Sequence, residues 1–224
     1  METNSPRHLY INYIDRAPGI NYPSIFYRQT GLTRDKIFRE DMMQPNAFTL
    51  FSGGARGAEA YFGELAEKYG LDEVNYSFEG HPIERTRGVR YLTNEELAKK
   101  DVSITYVSNL MHRNYSRAPI FRKVLQTICW QVSSGMEVFV VGQILEDNTV
   151  KGGTGWGAEY AKICNKPLFV FDQTRNAWFT WDEGEWRQIQ APVISRQHFT
   201  GTGTRFLEDN GRQALDDLFK RSFG

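Results

Sequence analysis

The segment 137-EVFVV-141, followed by 151-KGGTGWGAEYAKI-163 and 167-PLFVF-171, decides the fold. The first piece is an apolar, β-prone run, as expected of a strand buried on both faces. Gly142 and a polar excursion through Glu146-Asp147-Asn148 lead to a glycine loop. Ala158–Ile163 then continues as a helix, and Pro167–Phe171 is a second β run. Strand, glycine loop, helix and strand within about 35 residues make a βαβ unit. Such a unit implies parallel strands joined by a right-handed crossover and covered by helices.

Working outward, Pro119 stands where a first helical turn begins, and Ile120, Val124, Ile128 and Val132 follow at helical spacing. Ala47–Ser52 predicts a strand entering Gly53-Gly54, then a helix from Ala55 to Tyr69 stopped by Gly70. Residues 74–92 hold a weak strand and a polar segment. Thr93 is an N-cap with Glu96 as its capping-box partner, for a short helix ending near Lys100. Ser103–Val107 alternates weakly and reads as a strand. Near the N-terminus, residues 8–13 suggest a strand and Thr33–Met43 a short helix. Downstream, four aromatic residues around Asp182-Glu183-Gly184 predict a β-hairpin over Asn176–Ile189. Pro192–Ser195 reads as another strand and Asn210–Phe219 as a helix. No repeat, charge block or long linker divides the chain, so one domain is expected.

Lys+Arg and Asp+Glu are equal at 27 each, which leaves no basic surplus to hold long nucleic acid. The longest apolar run is far shorter than the roughly 20 residues that cross a bilayer. The first 30 residues carry Arg7, Asp15, Arg16 and Arg28 and no apolar h-region, against a signal peptide. Cys129 and Cys164 both read as buried thiols in a reducing compartment, so the cytoplasm is expected. Four scattered histidines and no Cys cluster give no zinc signature, so neither a metal nor another cofactor is expected.

Three glycine-rich turns, FSGGARGAE (51–59), KGGTGWGAE (151–159) and FTGTGTR (199–205), each read as strand-to-helix connections. In a parallel sheet all three emerge at the carboxyl edge, where ligands bind. Glycine lets the backbone N–H groups approach an anion, and the helix that follows adds about half a positive charge. Ser52, Gly53, Gly54 and Arg56 in the first turn are candidate ligand residues. So are Gly152, Gly153, Thr154, Gly155 and Trp156 in the second, and Gly201, Thr202, Gly203, Thr204 and Arg205 in the third. Asp172, ending a strand, is a candidate for base or ribose. Each glycine taken singly is equally well read as the tight turn itself. None is a Walker loop or a dinucleotide fingerprint. Glu159 is the carboxylate placed to orient water, and Arg122 is the cation placed to reach the crevice; the plain alternatives are a helix-dipole acid and a surface arginine.

Lys151–Glu159 resembles the glycine-rich signature of the Lonely Guy phosphoribohydrolases, with Gly152, Gly153 and Gly155 on its glycines and Glu159 on its glutamate. Arg122-Lys123 resembles that family's Arg-Lys pair, whose arginine belongs to the active site. Ser52-Gly53-Gly54-Ala55 with Gly57 resembles the first phosphate loop of the wider SLOG superfamily, and is closest to its molybdenum-cofactor-carrier-like branch. Trp156 stands in place of the enzymes' threonine and Lys151 in place of their proline. The resemblance spans 47–172 and implies a doubly wound, mostly parallel Rossmann-like α/β sheet with helices on both faces. To this the chain adds an N-terminal extension (1–46) and an aromatic hairpin (173–195). It implies a phosphate-bearing, nucleotide-like small molecule as ligand, a homodimer, and hydrolysis of an N-glycosidic bond with Glu159 and Arg122 in the catalytic roles. A non-catalytic nucleotide-binding module and a protein-docking domain stand as alternatives.

Overall fold

The computed structural model describes residues 44–115 and 119–224, all within one compact unit, Met42–Gly224. The expected strand at 8–13 and helix at 33–43 lie outside the described residues. A 3-10 turn at Pro45–Ala47 leads into β1 (Thr49–Ser52), α1 (Ala58–Lys68), β2 (Asp72–Ser77) and β3 (Val89–Tyr91). Next come α2 (Asn94–Ala98), α3 (Asp101–Met111), α4 (Pro119–Ser134), β4 (Glu137–Gly142) and α5 (Thr154–Ile163). The chain continues through β5 (Leu168–Asp172), β6 (Ala177–Asp182), β7 (Glu185–Ile189), β8 (His198–Gly203) and α6 (Asp209–Phe223). The strands form one mixed sheet in the order β3-β2-β1-β8-β4-β5-β6-β7. Every pairing from β3 to β5 is parallel, and β6 and β7 extend the sheet antiparallel.

Alternation along β4 builds the two faces. Phe139 and Val141 join Leu50, Phe62, Phe199, Leu215 and Phe219, so α1 and α6 cover one side. Val138 and Val140 join Val132, Ala158, Ala161 and Val170 under α4 and α5 on the other. This is a doubly wound α/β domain, as the sequence predicts. The capping box at Thr93 is present, its hydroxyl accepting from the Glu96 N–H while the Glu96 carboxylate accepts from the Thr93 N–H.

Three expectations are corrected. Ser103–Val107 lies within α3, because Ile104, Val107 and Met111 recur at helical spacing and bury together against α4 and Trp156. Pro192–Ser195 forms no strand; its backbone is held irregularly by the Glu137 carboxylate, which accepts from Ser195 and Arg196 N–H groups at 2.7 and 2.8 Å. Phe199–Gly203 is not a loop but most of β8, the strand that separates β1 from β4. Its glycines are packing devices. A Cβ on Gly201 would lie 2.6 Å from the Phe62 ring, and one on Gly203 would lie 2.6 Å from the Val141 carbonyl oxygen.

Candidate ligand-binding site

The six described parallel strands end on one edge, and there the chain steps outward from β1 through β2 to β3 on one side and from β4 to β5 on the other, with β8 between β1 and β4. Three segments meet there. The Ala58 N–H donates to the Thr204 carbonyl at 3.0 Å, tying the start of α1 to the end of β8. The Thr204 N–H donates to the Val141 carbonyl at 2.9 Å, tying β8 to β4. Gly57, at φ 92°, lets the Thr204-Arg205 backbone cross it; a Cβ there would sit 2.6 Å from both carbonyl oxygens. Beyond β4, a Cβ on Gly142 would touch the Thr154 methyl at 3.7 Å, which places the start of α5 at the same rim.

The glycines divide by what surrounds them. Gly54 is buried, and its carbonyl accepts from the Glu84 and Arg85 N–H groups at 2.9 and 3.0 Å. Arg85 is anchored in turn on Glu73 at 3.0 Å and Glu67 at 2.8 Å. Gly155 and Gly157 face the Val150 carbonyl and the Ile128 side chain, with no room for a Cβ. At Gly152 and Gly153 nothing among the described residues lies within 4 Å of that position. Gly153 is the N-cap of α5, and among the described residues no side chain caps it; the Gly155 and Trp156 N–H groups donate to the Gly152 and Gly153 carbonyls at 3.3 and 3.0 Å. Arg56 and Arg205 are exposed beside Gly57 and take part in no ion pair among the described residues.

Behind the first loop lies a carboxylate that sequence reasoning passed over. Glu59, in the first turn of α1, is 7% exposed. It accepts from the Thr202 hydroxyl at 2.7 Å and from the Ala55 N–H at 3.2 Å, and the Gln131 amide and Gly53 N–H also point at it. Burial holds its carboxyl above the usual carboxylate range, and the four hydrogen bonds oppose that shift. Gln131 is 1% exposed, and its side-chain oxygen has no hydrogen-bond partner among the described residues. The same glycine-loop-then-Glu pattern that singled out Glu159 occurs in FSGGARGAE and was the available signal.

Several expected residues are engaged elsewhere. Glu159 sits in the second turn of α5, not the first, and pairs with Lys162 at 2.7 Å. Lys162 also donates to the Asn148 carbonyl and lies 3.6 and 4.7 Å from the ring centres of Trp181 and Trp186. Arg122 is half exposed and pairs with Asp101, joining α4 to α3. Asp172 is fully buried; it accepts from the N–H groups of Ile144, Thr174 and Arg175 and so clamps two loops. Trp156 fills the core beside Tyr115, with ring centres 6.0 Å apart. The Ser52 hydroxyl donates to the Gly201 carbonyl at 2.7 Å. Cys129 is buried as expected, while Cys164 is exposed at the end of α5.

Among the described residues no helix is long and apolar enough to cross a membrane. No protein-family model matches the chain, and no curated protein does. Among solved structures the chain is similar to a crystal structure of a "Putative molybdenum carrier protein" from Syntrophus aciditrophicus, at 15% identity and a TM-score of 0.48, over 80% of this chain and 97% of that one.

Proposed function

We propose that this protein binds a phosphate-bearing, nucleotide-like small molecule at the carboxyl edge of β1, β8 and β4, without cleaving it. The observation that carries the reading is the sterically open start of α5 at Gly152-Gly153, which no side chain caps among the described residues, on the rim that Arg56 and Arg205 share. The helix dipole favours an anion there, and two guanidinium groups that form no ion pair among the described residues add charge-assisted donors. Binding is preferred to N-glycosidic hydrolysis because the two residues assigned to that reaction are committed to ion pairs, Glu159 with Lys162 and Arg122 with Asp101.

The test is a thermal-shift and calorimetric survey of nucleoside mono-, di- and cyclic phosphates, with chromatography of each hit for released base. Stabilisation without product is expected. Released base in step with enzyme concentration would restore the hydrolase reading, and no response to any phosphate compound would remove the site.

A further inference from the structure

In a doubly wound sheet, the loop between β1 and the first helix is an obvious seat for a phosphate. Here that seat is already filled from within. Gly53 N–H, Ala55 N–H, the Thr202 hydroxyl and the Gln131 amide surround one group, the Glu59 carboxylate. Gly53 has no room for even a Cβ, because Glu59 and Gln131 occupy that space. The Gln131 side-chain oxygen, without a hydrogen-bond partner among the described residues, is a second acceptor at the same place. The donors that would receive a phosphate are spent on this carboxyl, and the space is filled, so the seat offers an incoming anion acceptors and no room.

We infer that Glu59 is a specificity residue that closes the first loop to phosphate, so that the crevice takes ligands with a single phosphate group and excludes diphosphates and dinucleotides. The inference rests on the binding site proposed above. In this division the phosphate lies at Gly152-Gly153. A second phosphate directed toward β1 meets a filled seat whose donors are already engaged.

Wild-type protein provides the primary measurement, so no variant has to fold. Calorimetric affinities for adenosine, guanosine, cytidine and uridine 5′-monophosphates are compared with those for the matching 5′-diphosphates. The monophosphate of any nucleoside that binds is expected to be favoured by about tenfold or more. Equal or tighter binding of the diphosphate overturns the inference and leaves the binding site standing. If no nucleotide binds, the underlying reading fails and takes the inference with it. In Glu59→Ser, which removes the carboxyl and opens the seat, the preference is expected to collapse to within about threefold or to invert. A folded variant that keeps the wild-type ratio counts against Glu59 as its cause.

Discussion

Glu59 and Thr202, 143 residues apart in sequence, are joined by a 2.7 Å hydrogen bond from the threonine hydroxyl to the buried carboxylate. The bond ties the first turn of α1 to the end of the central strand β8. Removing one donor from a buried charged acceptor has a cost of about 1–3 kcal/mol. Thr202→Val is therefore expected to unfold earlier in urea by that amount, with an unchanged denaturant slope. A loss below about 0.5 kcal/mol would mean that the remaining donors satisfy Glu59 unaided.

Gly153 separates ligand binding from folding. Its backbone is helical, at φ −63° and ψ −34°, and an added Cβ meets none of the described residues within 4 Å. Gly153→Asp is expected to leave stability within about 1 kcal/mol of wild type, since exposed substitutions rarely do more. The new carboxylate lies at the proposed phosphate position and is expected to weaken nucleotide affinity by about tenfold or more. Gly155→Ala is the contrasting variant. It is expected to be strongly destabilising, because the added methyl runs into the Val150 carbonyl.

Lys162 fastens the antiparallel pair β6–β7 to α5. Lys162→Met leaves Glu159 without its partner and removes the cation between two indoles, which is expected to lower stability by about 2–4 kcal/mol. Hydrogen exchange should show the effect first in Ala177–Ile189, and tryptophan emission should change with it. Uniform exchange across the sheet would contradict a local latch.

His81 stacks on Phe78 with ring centres 4.7 Å apart, and its ring nitrogen meets the Ser77 hydroxyl. Burial lowers its pKa below the ordinary 6.5, so the folded state favours the neutral ring. Its contribution to stability is complete above about pH 6.5 and is lost as pH falls through the lower folded value. His81→Phe is expected to flatten that part of the stability profile, measured by urea midpoints between pH 5 and 7. An unchanged profile would assign the slope to other groups.

The two thiols are expected to differ sharply. Burial pushes the Cys129 thiol up to about 12, whereas Cys164 is exposed. A thiol reagent at mild alkaline pH should modify Cys164 in the native protein and Cys129 only after unfolding.

The parallel sheet was legible because β4, α5 and β5 announce themselves through an uninterrupted apolar run, a glycine loop and a second run. The capping box at Thr93 and the helix opening at Pro119 were equally readable, since both are short-range signals. Two readings failed where local pattern met tertiary demand. The five residues 103–107 alternate like a strand, yet only the helical register buries Ile104 with Met111. FTGTGTR looks like a loop because of its glycines, but those glycines let a strand pass between the Phe62 ring and the Val141 backbone. At the rim, sequence brought the right segments together but not the right carboxylate. Glu59 and Glu159 follow nearly identical glycine runs, and only their partners, Thr202 and Gln131 for one and Lys162 for the other, tell them apart.

The position of β8 carries a consequence for biosynthesis. Residues 49–52 and 137–142 are never neighbours in the sheet; each hydrogen-bonds to residues 198–203, which leave the ribosome long after both. The two halves therefore emerge with adjoining open edges and cannot join until the late segment slots between them. A nascent chain stalled before that point would display two apolar, unzipped margins, the kind of surface that chaperones hold.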